Sequence, residues 1–175
     1  MNFFYRSRLW TFIWAYILLI YLTLPLMRSV LNALRGAFGQ ENLGMALNVT
    51  LVLAGLALIV LGVRHGWKTL LHVTVPLAII LVVAYHLHIP EERVHFLQYG
   101  LLGLLVLKTS RVRSWLQLLA VAAFVIAVGA IDEGIQWLLP NRVGDLRDVA
   151  MNTLAGVMGV WIGTALHWPS TSPSP

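Results

Sequence analysis

Apolar side chains occupy this chain in long runs broken by short polar segments, rather than alternating with polar residues at the period of a strand or of a half-buried helix. Six runs stand out, at about residues 9–27, 44–63, 69–87, 91–107, 114–139 and 145–167. A helix rises ~1.5 Å per residue, so ~20 apolar residues cross the ~30 Å hydrocarbon core of a bilayer. The pattern predicts an all-α polytopic transmembrane bundle of about six spans, a single domain over residues 1–168. The fourth run is the exception: its uninterrupted part, Val94 to Leu107, also suits a re-entrant segment beside five full spans.

Charge in the polar segments weighs between the two. With six spans and a cytoplasmic N-terminus, the inner segments hold Arg6, Arg8, Arg64, Lys68, Lys108, Arg111 and Arg113, and the outer ones Arg28, Arg35, Arg93, Arg142 and Arg147. A re-entrant fourth run carries the group Lys108, Arg111 and Arg113 outside, against the cytoplasmic excess of basic residues that such loops show. The expectation is therefore six spans, both termini cytoplasmic, and residues 88–95 and 139–147 on the outer side. Trp10, Trp67, Trp115 and Trp168 then fall near the inner interface, as an aromatic belt does.

Smaller features follow. Leu31, Leu34 and Phe38 recur at helical spacing beside Arg28 and Arg35, which suits a short amphipathic surface helix or a plain polar loop. Pro76 is expected to kink the third helix. Arg6 and Arg8 ahead of an apolar run look like a signal peptide, but the run is too long for one and lacks a small-residue cleavage site, so it reads as an uncleaved span. Residues 169–175 have the composition of a disordered tail.

Composition agrees with a membrane protein: 59% of residues are hydrophobic and 11% charged, with mean hydropathy +0.80, against about 25% charged in ordinary soluble domains. The net charge of +5 comes from basic residues in the short loops, where it sets topology, and no nucleic-acid partner is expected. The absence of cysteine excludes thiol chemistry. His72, His86 and His88 have no spacing diagnostic of a metal site, and no cofactor is legible.

Candidate chemistry gathers where the last three runs meet their outer ends. Counting ~1.5 Å per residue from those ends puts His95 and Tyr99 roughly 7 and 13 Å deep, Gln136 roughly 6 Å, Asp132 and Glu133 roughly 10–12 Å, and Asp148 and Asn152 roughly 5 and 10 Å. Residues three or four apart share a helix face, which joins His95 to Tyr99, Glu133 to Gln136 and Asp148 to Asn152. Asp132 also pairs with Gln136 at that spacing, so either acid can face inward, with Glu133 favoured. Charges at such depth are costly unless paired or wetted. Glu133, Asp148 and His95 are the candidate acid/base groups. Arg142 suits a phosphate or carboxylate, with Gln136, Asn152, Tyr99 and Asp132 as further contacts. The same parts also make an inert salt-bridge network. Glu91 and Glu92 read as partners of the positive end of the fourth helix. Ala155, Gly159 and Gly163 form a small-residue stripe for close helix packing.

At these residues the chain resembles the VanZ-like family of small bacterial membrane proteins, named for a protein associated with teicoplanin resistance. The resemblance lies in His95-Phe96-x-x-Tyr99, Asp132-Glu133-x-x-Gln136, Pro140-x-Arg142 and Asp148-x-x-x-Asn152 with Gly159 beyond, over about residues 90–163. Where the family usually shows Asp-Lys before the His, this chain has Glu91-Glu92, and Ala155 stands at a position often Gly. The resemblance implies a cell-envelope role in the bacterial inner membrane. The leading expectation is an outward-facing pocket that engages an envelope lipid or lipid-linked glycan precursor and affects glycopeptide susceptibility, by modifying the headgroup or by binding it. A non-catalytic accessory protein and a proton-coupled transporter or flippase are the alternatives; the inner halves of the last two helices are almost purely apolar, which ranks the transporter last.

Overall fold

The computed structural model describes residues 8–87, 89–110, 112–140 and 144–167. They form α1 (Arg8–Phe38), α2 (Gln40–Arg64), α3 (Trp67–His86), a 3-10 turn (Pro90–Arg93), α4 (Val94–Thr109), α5 (Trp115–Leu138) and α6 (Leu146–His167), with no strand among the described residues. Glycine makes the two tightest reversals, Gly39 (φ 80) between α1 and α2 and Gly66 (φ 100) between α2 and α3, a backbone region that side chains disfavour. Pro90 opens the 3-10 turn, and the Ser114 hydroxyl caps α5 by accepting the Gln117 N–H at 3.3 Å.

Contacts fix the helix directions. Close approach of Gly103 to Gly156 and of Gly163 to Leu107 makes α4 and α6 run the same way, while Val125 against Gly156 and Gly129 against Asn152 make α5 run against them. Trp10 meets Phe124 edge-on at 5.9 Å, and the Tyr21 hydroxyl donates to the Val128 carbonyl at 2.8 Å, so α1 runs with α5. Arg93 donates to the Ala84 and Leu87 carbonyls and to Asn48 Oδ1, which ties the end of α3 and the upper part of α2 to the 3-10 turn. The helices alternate in direction, and the start of α1 and the end of α6 lie at the same end of the bundle.

The surface is far more apolar than that of a soluble protein, around an interior that is largely apolar except for one polar cluster. Large apolar side chains such as Phe12, Leu22, Leu53 and Leu116 point outward, whereas Asp132, Glu133, Gln136 and Asn152 are enclosed. Among the described residues, five helices are long and apolar enough to cross a membrane. α4 is the exception at 16 residues, ~24 Å by rise, which falls short of the ~30 Å core. With the 3-10 turn ahead of it, α4 still runs in one direction through the centre of the bundle and does not double back.

α4 reaches that centre through small residues. A Cβ at Gly103 would run into the Gly156 carbonyl oxygen, and one at Gly159 into that of Gly100. Backbones this close let α4 bury Tyr99, Leu102 and Val106 completely or nearly so.

Two expectations are corrected. Residues 31–38 are neither a separate surface helix nor a loop: α1 is one helix of 31 residues continuing through Pro25, ~46 Å long. It overshoots the hydrocarbon core, and its last turns carry Arg28, Asn32 and Arg35. Trp10, in the first turn of α1, is buried against Phe124, while Trp67 and Trp115 are exposed; Trp168 lies outside the described residues. The helix at 91–107 begins as the 3-10 turn, and α4 proper starts at Val94.

Candidate functional site

At the end of the bundle where α1 stops and α4 and α6 start, a cavity of about 340 Å³ opens between the helices. The second half of α1 supplies one wall, with Ile20, Leu24, Met27 and Leu31 interspersed with Arg28, Asn32 and Arg35. The other wall comes from the 3-10 turn, α4, α5 and α6, and carries Glu91, Glu92, His95, Gln98, Asp132, Gln136 and Asp148. α1 is held there by polar tethers: Tyr16 Oη donates to the Gln98 carbonyl at 3.2 Å and Tyr21 Oη to that of Val128 at 2.8 Å.

Of the residues expected at the site, His95, Asp132, Gln136 and Asp148 line the cavity. Tyr99, Glu133 and Asn152 lie behind them, all fully buried. Tyr99 Oη donates to Asp132 Oδ2 at 2.6 Å, a short bond that fixes the carboxylate on the cavity wall. Gln136 Nε2 donates to Glu133 Oε1 at 2.8 Å, and the Asp145 backbone N–H reaches Glu133 Oε2 at 3.4 Å. Both acids face the bundle interior: Asp132 lines the cavity, and Glu133, fully buried, ties α5 to the start of α6. The two differ by one residue, and that step turns a helical side chain by about 100°. Asn152 donates weakly to the Gly129 carbonyl at 3.4 Å, and its Oδ1 has no hydrogen-bond partner among the described residues. Arg142 lies outside the described residues.

Asp145 precedes α6 and caps it, Oδ1 accepting the Arg147 N–H at 2.9 Å. This leaves Asp148, one turn inside, to face the cavity. Glu91 is more than a dipole partner: its Oε1 accepts from Arg35 Nε at 2.9 Å, linking the 3-10 turn to α1 across the cavity. Burial pushes the Glu91 carboxyl up, but the Arg35 guanidinium outweighs it and the carboxyl is held below the usual range. Burial instead holds the Glu92 carboxyl above that range, with Asp148 adding like charge, although Arg147 at 3.8 Å opposes the shift. Among the described residues no cluster suited to a metal ion occurs.

Arg28 and Arg35 are lining residues that the sequence showed only as topological charges. Their spacing of seven on one apolar-faced segment was the available signal; assigning them to a cavity required α1 to be continuous past Met27.

Long apolar helices around an enclosed polar cluster define a multi-pass membrane protein with an amphipathic cavity at one end. The family model described as VanZ/LLP1 matches residues 2–167, and the chain belongs to that family. The match takes in α1 to α3 as well as the motif region. No curated protein and no solved structure matches the chain.

Proposed function

We propose that the cavity engages the headgroup of an envelope lipid or lipid-linked glycan precursor at the outer face of the bacterial inner membrane, and that this affects glycopeptide susceptibility. The supporting observation is the cavity's mixed lining: Ile20, Leu24, Met27 and Leu31 of α1 offer apolar surface beside the charged and polar groups of α1, the 3-10 turn and α4 to α6, as a lipid joins an apolar chain to a polar headgroup. Asp148 and His95 line it and are the acid/base candidates, with Asp132 and Gln136 as headgroup contacts. Glu133, Tyr99 and Asn152 act from behind by holding those groups in place. Arg142, in the segment between α5 and α6, is proposed as a phosphate contact on its residue type. A non-catalytic binder uses the same contacts. Transport fits less well, because beyond Val128 and Met158, toward the other end of α5 and α6, the buried positions are apolar.

The test joins phenotype to occupancy. In cells, Asp148→Asn and the cavity-filling Leu31→Trp are expected to accumulate normally and to abolish any effect of the protein on teicoplanin susceptibility. Native mass spectrometry of the purified wild type should show co-purifying lipid that the cavity-filling Leu31→Trp loses. A changed lipid mass after incubation identifies an enzyme, and an unchanged mass a binder. Full phenotype in both variants at normal yield overturns the proposal.

A further inference from the structure

We infer that the headgroup taken by this cavity is zwitterionic, a phosphate beside a primary ammonium, rather than purely anionic. The inference rests on the lipid-binding reading above and names the ligand class. Charge around the cavity is sorted by wall: Arg28 and Arg35 come from α1, and Glu91, Glu92, Asp132 and Asp148 from the elements opposite. The walls meet at the Arg35–Glu91 pair, and that pair leaves bonding capacity on both sides.

On the α1 side, Arg35 uses Nε for Glu91, and its remaining N–H donors have no partner among the described residues, a fork suited to phosphate oxygens. On the opposite side the surplus is of acceptors. Glu91 is 8% exposed and lines the cavity, yet its Oε2 is buried without a hydrogen bond. Glu92 Oε2 is also buried without a hydrogen bond, its ion-pair partner Arg147 standing 3.8 Å away, and the Asp148 carboxylate bonds no described side chain.

Buried acceptors without donors are costly, and an ammonium brings several N–H donors with a compensating charge. A purely anionic headgroup would satisfy Arg35 but would face four carboxylates of its own sign. The same argument disfavours a pyrophosphate-linked precursor. His95, whose Nδ1 is buried and unpartnered on the same wall, can serve either half of a zwitterion according to its tautomer.

The experiment is a competition on the full-length protein in detergent, read by native mass spectrometry, between phosphatidylethanolamine and phosphatidylglycerol of identical acyl chains. Wild type is expected to retain the ethanolamine lipid about tenfold more than the glycerol lipid. Glu91→Gln and Asp148→Asn should each cut that preference severalfold without weakening glycerol-lipid retention, and Arg35→Gln should weaken both. If Glu91→Gln misfolds through loss of the Arg35 pair, Asp148→Asn still carries the comparison, since its carboxylate bonds no described side chain. Equal or greater retention of the glycerol lipid, or a preference unchanged in the folded acid variants, overturns the inference while lipid binding stands. If Leu31→Trp retains both lipids as well as wild type does, the cavity holds neither, and the lipid reading falls with the inference. Soluble glycerophosphoethanolamine separates the sources: displacement of lipid only at ~100-fold excess assigns a lipid. Displacement at equal concentration keeps the zwitterion but overturns the lipid source.

Discussion

Two acids of the same cluster differ in what their removal leaves behind. Glu133 is fully buried and accepts from Gln136 and from the Asp145 backbone, so Glu133→Ala strands two donors at about 1–3 kcal/mol each. Asp148→Asn breaks no hydrogen bond to a described side chain, and its stability should stay within about 0.5 kcal/mol of wild type. Thermal unfolding in detergent is expected to show a large fall for the first and none for the second; the reverse order would contradict the placement of both. Glu91 adds a pH dependence. Its folded carboxyl titrates below the usual range, so the Arg35 bridge contributes fully above the unfolded value of about 4.3 and is lost as pH falls through the lower folded value. The stability difference between wild type and Glu91→Gln should therefore be constant near neutrality and shrink below about pH 4. A difference that persists in acid would mean that Glu91 acts through packing.

Among the elements, α4 depends most on its neighbours. It is too short for an unaided span and is held at the bundle centre by glycine contacts with α6. Gly103→Ala and Gly159→Ala each put a methyl group into facing backbone, and overpacking of this kind costs about 1–3 kcal/mol. Gly55→Ala on α2, where a Cβ meets nothing within 4 Å, is the matched control and should be neutral or slightly stabilising. Because Tyr99 rides on α4 and positions Asp132, the seam variants should also lower lipid retention, whereas the control should not. Equal behaviour of all three would show that the seam is not tight.

Across the whole molecule, alternating helix directions place the turn at Gly39 and the 3-10 turn at one end and the turn at Gly66 at the other. Combined with the distribution of basic residues, this predicts that single cysteines at Gln40 and Lys68 react oppositely with an impermeant thiol reagent in intact cells, Gln40 labelled and Lys68 protected. The opposite pattern would invert the bundle and turn the cavity to the cytoplasm. The same pattern on both would contradict α2 as a span.

Helix number, approximate bounds and the membrane class were legible in the sequence, because a run of apolar residues is a local property and its length alone meets the demand of a bilayer. The polar cluster was legible too, since spacing along one helix and depth from its end place His95, Asp132, Gln136 and Asp148 at one level without knowledge of neighbours. The sequence did not determine which of two adjacent acids faces the cavity. A step of one residue turns the side chain by about 100°, and only the packing of α5 against α4 and α6 sets Asp132 on the wall and Glu133 behind it. Nor did it assign Arg35 to Glu91, 56 positions apart in the chain: the pairing exists because α1 continues as helix beyond the bilayer core and the glycine seam brings α4 into the centre. Local pattern fixes periodicity and depth, whereas the azimuth of each helix about its axis is a property of the packed bundle.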